Sequence, residues 1–306
     1  MKKLLFVILS VFMLFSCNDG DIITEELDFE DTFSACGELV FYKIKEDPAE
    51  SISLQITSVT KSLDSLIATD ENGELYLTEE EYTINGTSNF FNYRRYDTTP
   101  TDFFCDDVPS SDITITHDEE STTGTATVYI SLTEDDDDGI DAELEDINGN
   151  GDLTDDDTDG DGLPNYLDED DDGDNVLTRL EIDTDDEDGD DDPTTNYLDT
   201  DGDGIPNYLD TDDDGDGVLT INEDANEDLD PSNDFTNPEI ADYLNFSIDD
   251  DSITTTAYRD HDIQQTFEVT LEIINLELPS ITYDYLDFGT LEDDNLEDER
   301  TVEIPF

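Results

Sequence analysis

The sequence predicts a mainly β fold, an antiparallel β-sandwich interrupted by a long, largely irregular insertion. Short runs rich in Val, Ile, Tyr, Phe and Thr occur on both sides of the middle of the chain. Several of them alternate apolar and polar residues, which is typical of a sheet with one solvated face. Between these flanks the composition changes abruptly to Asp and Gly, without an apolar period of helical length. The flanks therefore supply the apolar core, because the acidic middle has too few apolar residues to build one.

The charge of the chain excludes whole classes of partner. The 306 residues include 89 Asp and Glu against 10 Lys and Arg, a formal net charge of −79. Nucleic acids and anionic membrane surfaces are bound through clustered Lys and Arg, so we predict no nucleic-acid partner.

Groups that serve as nucleophiles or general bases near neutral pH are also few. The chain has two His, no Trp and three Cys. His117 and His261 each lie beside acidic residues, and we interpret both as surface residues rather than as parts of a catalytic dyad. We therefore predict that the protein is not an enzyme.

Residues 1–16 predict a secretory signal peptide, because two lysines precede an apolar run that is too short to span a membrane. The run ends in Leu14-Phe15-Ser16-Cys17, which resembles the lipobox of bacterial lipoproteins. This resemblance implies cleavage before Cys17, acylation of that cysteine, palmitate included, and a lipidated tether over residues 17–30. The acidic stretch that follows Cys17 resembles the surface-export signal of Bacteroidota lipoproteins. We expect an outer-membrane lipoprotein that is exposed at the cell surface and held to the membrane through Cys17.

The two remaining cysteines, Cys36 and Cys105, would then lie in an oxidising compartment. A cysteine pair in a secreted domain is more often bridged than free. Closing a loop of about 70 residues stabilises a fold by roughly 4 kcal/mol in the chain-entropy model. We predict a disulfide between them.

Residues 31–134 are predicted to form the first part of the sandwich. Asn72-Gly73 and Asn85-Gly86 are hairpin turn signals. The segment Ser58–Ile67 fits either a short helix or a strand. The predicted strands are Glu38–Ile44, Ile52–Thr57, Glu74–Thr78, Asn89–Tyr96, Asp112–Thr116 and Thr125–Leu132.

Residues 135–232 are predicted to be a repeat module. Asp157–Asp168 and Asp199–Asp210 are nearly identical at an offset of about 42 residues, and the same offset relates Asp170–Glu181 to Asp212–Glu223. A tandem duplication explains this similarity.

Within each copy the acidic residues follow a template for metal ligands. Asp212–Glu223 has Asp at loop positions 1, 3 and 5, Gly217 at position 6 and Glu at position 12, which fits the pattern D-x-[DN]-x-[DN]-G-x₅-E. That spacing wraps alternate side chains of a tight loop around a hard cation with many oxygen ligands. Asp170–Glu181 repeats the pattern with Asn175 in the turn, and Asn tolerates the left-handed conformation that the turn needs. We predict calcium binding, since crowded acidic loops suit a larger and more flexible coordination shell than that of magnesium.

Four further loops match the template with Asp in place of Glu at position 12, although the loop from Asp188 to Asp199 has Pro193 at the turn position. Asp157 and Asp199 each end one loop and begin the next, so neighbouring cations would share a ligand. We expect about six ions, bound with Kd values of ~10⁻⁴ to 10⁻³ M. The predicted ligands are, loop by loop, Asp146, Asn148, Asn150 and Asp157; Asp157, Asp159, Asp161 and Asp168; Asp170, Asp172, Asp174 and Glu181; Asp188, Asp190, Asp192 and Asp199; Asp199, Asp201, Asp203 and Asp210; Asp212, Asp214, Asp216 and Glu223.

The loops differ from EF-hands, because Pro164 and Pro206 at position 8 block the outgoing helix. Over Asp146–Asp228 the motif DTDGDGxPNYLDxDDDGD instead resembles thrombospondin type 3 repeats. In that extracellular family, tandem motifs wrap a line of calcium ions with little regular secondary structure. The cysteines of the animal repeats are absent from this stretch, so the resemblance implies a module whose order rests on metal alone.

Residues 233–306 contain the predicted strands Ile253–Tyr258, Gln265–Leu278, Ser280–Phe288 and Thr301–Phe306. So few strands hardly build a core of their own. Two arrangements fit. The strands complete the first sandwich, with the module inserted between Thr125–Leu132 and Gln265–Leu278, or they form a second small β-domain.

The sequence therefore predicts a non-enzymatic, calcium-binding lipoprotein whose repeats form a calcium-rigidified spacer with a structural or adhesive role. The alternative is a calcium-dependent module that captures a glycan or a protein for a surface complex. An envelope enzyme is the third class. The predicted partners are calcium, the membrane, and an extracellular glycan or protein.

Overall fold

The computed structural model describes residues 27–37, 39–57, 62–101, 103–106, 111–183, 192–195, 197–249 and 253–305. The predicted signal peptide, Cys17 and the tether up to residue 26 lie outside the described residues, as do Asp188 and Asp190. In the described part of the chain, every helix is too short or too polar to cross a membrane.

A 10-stranded sheet dominates the described part of the chain, which confirms the prediction of a mainly β fold. The strands are β1 (Thr32–Cys36), β2 (Val40–Lys45), β3 (Glu50–Ile56), β4 (Glu79–Thr83), β5 (Asn89–Tyr96), β6 (Ile115–Ser121), β7 (Thr125–Asp135), β8 (His261–Glu277), β9 (Thr282–Leu291) and β10 (Glu297–Val302). One short helix, α1, spans Leu63–Leu66. Single 3₁₀ turns lie at Ala142–Leu144, Leu153–Asp155, Asn165–Leu167, Thr178–Leu180, Asn207–Leu209, Thr220–Asn222, Pro231–Asn233 and Asp242–Leu244.

The sheet is mixed rather than purely antiparallel, so that part of the prediction is wrong. The strand order is β4-β7-β8-β9-β1-β2-β3-β5-β6, and β10 pairs with β8. Strand β1 runs antiparallel to β2 and parallel to β9, with Thr32 opposite Thr290 and Phe33 opposite Leu291. The short connection to β2 dictates the direction of β1, and its other edge then meets β9 in parallel.

The sheet folds over on itself around one core. Strand β5 is four strands away from β9, which corresponds to about 19 Å in a flat sheet at ~4.8 Å per strand. The ring centroids of Phe91 in β5 and Phe288 in β9 are nevertheless only 6.4 Å apart. Both rings, with Leu54 and Leu271, belong to one buried hydrophobic cluster. Two sandwich-like layers therefore share a single core.

Several predicted strands differ from those observed. Glu74–Thr78 is not a strand apart from one bridge between Thr69 and Leu75, and the neighbouring strand is β4, whose three Glu hide the alternation. Strand β10 is likewise rich in charge, as edge strands often are. The predicted strand Ile253–Tyr258 is irregular and pairs with no strand among the described residues. The undecided segment contains α1, with Ser62 as its N-cap.

The acidic module leaves and re-enters the sheet at one place. Strands β7 and β8 pair along their whole overlap, from Thr125 opposite Ile274 to Asp135 opposite Gln264. The end of β7 and the start of β8 therefore lie side by side. Strands from both flanks of the module belong to the same sheet and core.

The two described cysteines lie close together but form no disulfide bond. Cys36 ends β1, and Cys105 lies in the loop between β5 and β6. Burial, together with a hydrogen bond and the charge of Cys105, raises the pKa of the Cys36 thiol to about 12. The Tyr42 hydroxyl lies 3.2 Å from Cys105 Sγ.

We expect oxidation to link Cys36 and Cys105 in the secreted protein. Such a bridge would tie the loop that carries Cys105 to β1 and stabilise the fold by roughly 4 kcal/mol. Non-reducing peptide mass spectrometry should recover the two cysteines in one cross-linked species, and reductant should lower the denaturation midpoint. A Cys36→Ser, Cys105→Ser double variant should not respond to reductant. Free thiols in protein purified from an oxidising compartment would contradict this prediction.

Candidate metal centre

The acidic segment folds as consecutive loops of one recurring design, in which the first aspartate is position 1. In the loops that begin at Asp146 and Asp170 its carboxylate accepts backbone hydrogen bonds from positions 5 and 6, and in those that begin at Asp199 and Asp212 it accepts from position 6. Asp170 accepts from Asp174 N at 3.1 Å and from Asn175 N at 2.7 Å. Asn175 has a φ of 72°, the left-handed conformation expected at position 6. The turn therefore forms without helices on either side.

A buried polar side chain at position 9 closes each of the four loops that begin at Asp157, Asp170, Asp199 and Asp212. Its backbone N–H donates to the carbonyl of the residue before position 1, as Asn165 does to Asp156 at 2.9 Å. Its side chain accepts from the backbone N–H at position 2, as Asn165 does from Thr158 at 2.9 Å. The other loops repeat this closure with Thr178, Asn207 and Thr220.

Consecutive loops pack directly on each other. A Cβ on Gly173, at position 4, would lie 2.4 Å from Asp159 Oδ2 in the preceding loop. Gly215 has the same relation to Asp201, at 2.5 Å. The duplicated halves thus repeat one two-loop unit, and glycine at position 4 is required by this close approach.

The structure brings predicted ligands together in three groups whose candidate ligand atoms all lie within 4.8 Å of one another. They are Asp157, Asp159 and Asp161; Asp170, Asp172 and Asp174; and Asp199, Asp201 and Asp203. The Asp170 group is buried, whereas two members of the Asp199 group are exposed. The environment of these loops therefore differs although their spacing is the same.

In the loop from Asp170 to Glu181, several carboxylates are buried without a hydrogen-bond donor among the described residues. Asp172 and Glu181 are 3 % and 1 % exposed, and within the described residues no donor reaches any of their four carboxylate oxygens. Burial, followed by the charges of neighbouring carboxylates, raises the pKa values of Asp172, Asp174 and Glu181 well above the usual range. Buried carboxylates are expensive unless a cation or a proton neutralises them. The free oxygens therefore fit a hard cation that takes carboxylate ligands.

The loop from Asp212 to Glu223 repeats this state in part. Within the part of the chain that the structure describes, one oxygen of each of its four predicted ligands is buried without a hydrogen-bond donor. These ligands are Asp212, Asp214, Asp216 and Glu223.

The first loop closes one residue earlier than predicted. Its 3₁₀ turn begins at Leu153, and the buried carboxylate that follows is Asp156, whose Oδ1 accepts from Asn148 at 3.0 Å. Asp156 Oδ2 has no donor among the described residues, so Asp156 replaces Asp157 as the closing residue. The side-chain amide of Asn150 donates to Asp155.

The remaining predicted ligands are engaged in other ways. Asp210 accepts from Asp212 N at 3.1 Å, and Asp192 accepts from Thr194 N at 2.9 Å. Asp168 Oδ1 lies 2.5 Å from His261 Nδ1, where the module meets β8.

His261 is therefore not the surface residue that we predicted. It is 3 % exposed, because β8 turns every second side chain inward from its first residue. Burial alone would lower its pKa, but the hydrogen bond and charge of Asp168, with Asp170, raise it. Beside it, Glu169 accepts from Asp262 N at 2.9 Å. These contacts clamp the module to the sheet.

Sequence reasoning missed a fourth group, formed by Asp136, Asp138 and Glu145 at the end of β7. A signal was present, because Glu134–Glu145 fits the loop template if Glu is admitted at position 1. Glu134 itself is paired with Arg300 Nε at 2.8 Å, while Asp136 and Asp138 stand at positions 3 and 5.

Asp213 was missed as well. It forms a buried group with Asp174 and Glu181, although it belongs to the loop that begins at Asp212. Position 2 is not part of the template, so the pattern itself contained no signal for it.

The comparisons with known proteins point to a different family from the one that the motif resembles. A family model described as BamM C-terminal matches residues 135–197, well under half of the chain. No curated protein and no solved structure is significantly similar to the chain. The thrombospondin type 3 assignment is therefore wrong, and the adhesive role that rested on it loses its support. The family match does not itself indicate calcium binding, so any metal must be argued from the ligand geometry.

We expect the metal-free protein to lose stability as the pH rises. Burial first, and neighbouring charges second, raise the pKa of Asp138 to about 7 and that of Glu145 to about 9, while burial also raises that of Asp213 to about 8. Unfolded carboxyl groups titrate near pH ~4. Between pH ~4 and about 9 the folded state therefore holds more protons than the unfolded state, and stability falls progressively as the pH rises through this range.

Saturating Ca²⁺ should reverse this dependence, because it holds the same carboxylates ionised, and protons then compete with it. Thermal unfolding midpoints between about pH 5 and about pH 9, in metal-stripped and in calcium buffers, test both signs. Glu145→Gln should flatten the metal-free curve. Equal slopes with and without calcium would contradict the prediction.

Proposed function

We propose that the acidic module binds several Ca²⁺ ions and becomes a rigid projection from the β-sheet of an outer-membrane lipoprotein. The observation that carries the proposal is the set of buried carboxylate oxygens in the Asp170–Glu181 loop that no donor reaches in the described part of the chain. Carboxylate oxygens at positions 1, 3, 5 and 12 are the ligands that Ca²⁺ prefers, and a Glu with both oxygens free suits bidentate ligation.

Electrostatics supports the same conclusion. Two carboxylates about 5 Å apart repel by roughly 0.8 kcal/mol even in bulk water, and by more where water is excluded. The apolar clusters of the module are small; one consists of Ile140, Ile182 and Tyr208, with Leu144 and Leu209 partly buried beside it. Such clusters contribute too little to offset dozens of like charges. Metal binding would supply the missing folding free energy.

The module is connected to the sheet by more than its two ends. The strand-like segment before β8 runs along the loops, and Asn175 both donates to Ala257 O at 3.1 Å and accepts from Arg259 N at 3.0 Å. Thr255 N donates to Asn222 at 3.0 Å. Ordering of the loops by Ca²⁺ would therefore stiffen the path from the loops to β8.

A second candidate function comes from the family match, which suggests a role related to outer-membrane protein assembly and is consistent with an outer-membrane-associated protein. A calcium-stiffened module held to the membrane through Cys17 would then present a surface to an assembling protein. Deletion of the gene should lower the amount of outer-membrane proteins, and restoration with the wild type should recover it. Unchanged outer-membrane protein levels would argue against this role and leave the calcium proposal intact.

We also propose that the protein is not an enzyme and that its partner is a protein or glycan at the cell envelope. His117 Nε2 is hydrogen-bonded to Glu119 Oε1 at 2.7 Å, and His261 is buried against Asp168. In the cluster Tyr93–Tyr96, Arg94 is paired with Asp118 and Arg95 with Glu50. Both histidines and both of these arginines are thus engaged by acidic side chains of the same chain.

Chelation should expand the protein and calcium should compact it. We expect the radius of gyration measured by small-angle scattering to rise when Ca²⁺ is removed and to recover when it is restored. Calorimetric titration of the full chain should detect several ions with Kd values of ~10⁻⁴ to 10⁻³ M. Asp172→Asn with Glu181→Gln should remove at least one of them. The exposed Asp249→Asn is the matched control and should behave as the wild type. A radius that is insensitive to chelation would refute the calcium proposal.

A further inference from the structure

Position 2 distinguishes two kinds of loop. Where it is Thr158 or Thr200, its hydroxyl accepts from the amide of Asn165 or Asn207, at 2.9 Å in each case. Where it is Asp171 or Asp213, the residue at position 9 is a threonine instead. Both aspartates are 1 % exposed. A buried charge at a position where threonine also satisfies the loop requires a separate reason.

Asp213 belongs to the loop Asp212–Glu223, but its side chain lies against the loop Asp170–Glu181. A carboxylate oxygen of Asp213 lies within 4.8 Å of ligand atoms of Asp174 and Glu181. Its Oδ2 accepts from Thr220 Oγ1 at 3.3 Å, while Oδ1 has no donor among the described residues. The free oxygen is therefore available to a site that another loop forms.

Asp171 has the same relation to the group at the end of β7. No donor in the described part of the chain reaches either of its oxygens. The loop that carries this group packs on the loop of Asp171, because Ile140 and Ile182 share one buried cluster. Burial first, and then the charges of Glu145, Asp138 and Asp136, raise the pKa of Asp171 well above the usual range. Both oxygens of Glu145 are also buried without a donor in the described residues. A buried carboxylate with both oxygens free thus lies on the loop that packs against this acidic group.

We propose that Asp171 and Asp213 are bridging metal ligands, each of which completes a calcium site built by another loop. The first site comprises Asp136, Asp138, Glu145 and Asp171. The second comprises Asp170, Asp172, Asp174 and Glu181, with Asp213. This inference rests on the proposed calcium binding and adds to it one site at the root of the module and the residues that join the sites.

The arrangement links the sites in series. The loop that forms the second site also supplies Asp171 to the first, and the loop from Asp212 supplies Asp213 to the second. A metal ion in one site would therefore order a ligand of the next site. The first site, at the end of β7, connects this series of sites to the sheet. Filling should be cooperative, because each ion lowers the ordering cost of its neighbour.

Two tyrosines allow the sites to be observed separately. Tyr208 packs with Ile140 and Ile182, and burial with the charges of Asp171, Glu145 and Asp138 among others raises its pKa to about 12. Tyr243 packs beside Val176, and burial with the charges of Glu181, Asp213 and Asp174 raises its pKa. Tyrosine-sensitised luminescence of Tb³⁺, a stand-in for Ca²⁺, therefore reports the first site through Tyr208 and the second through Tyr243. Tyr208→Phe and Tyr243→Phe identify each contribution.

The test titrates the full chain with Tb³⁺. Asp171→Asn should raise the apparent Kd of the Tyr208-dependent emission on the order of tenfold, with a smaller effect on the Tyr243-dependent emission. Asp213→Asn should show the opposite preference. The control Asp141→Asn removes an exposed charge at position 8 of the loop Glu134–Glu145 and should leave both emissions unchanged.

The outcomes distinguish failure of the bridging assignment from failure of the calcium proposal. If Asp171→Asn and Asp213→Asn resemble Asp141→Asn, or if each affects both emissions equally, the bridging assignment is overturned. If the wild type binds neither Tb³⁺ nor Ca²⁺, the calcium proposal itself fails. If an Asn variant does not fold, Asp171→Thr and Asp213→Thr replace it, because the other loops accommodate threonine at this position, and the same crossed pattern is required.

Discussion

Repulsion between buried carboxylates is the physical constraint on which this molecule depends. Side chains such as Asp172 and Glu181 lie inside the acidic module, where no donor from the described residues compensates them. Every other property of the module is consistent with that constraint: short 3₁₀ turns instead of helices, small apolar clusters, and loops that pack through glycine. Binding of a cation by these oxygens, as proposed above, would offset this repulsion in the compact arrangement.

The β-sheet holds both ends of the module. Because β7 and β8 are antiparallel neighbours, the chain leaves and returns at one end of the sheet. The contacts of His261 with Asp168 and of Asp262 with Glu169 then fasten the first residues of β8 to the loops. The apolar core lies elsewhere, between the two layers that Phe91 and Phe288 join, so the sheet has a core that is independent of the acidic module.

The elements that could be predicted from sequence are those whose signal is local. The alternation along Gln265–Leu278 corresponds to β8, in which every second side chain is buried as far as Ile273. Strands β4 and β10 carry edge charges that hide any period, and they were missed or misplaced. The D-x-D-x-D-G spacing indicated which carboxylates approach each other within a loop, but it also led to the wrong family. Such spacing reports the chemistry of a turn rather than common descent.

The sequence by itself determined the mainly β flanks, the acidic module and the carboxylates that approach each other within a loop, because these depend on residues a few positions apart. Only the tertiary structure decided that β1 joins β9 in parallel, that His261 is buried, and that Asp213 lies beside Asp174 and Glu181 of another loop. These features depend on residues that are tens to hundreds of positions apart in the chain. No periodicity encodes such pairs, since they arise from the packing of completed elements.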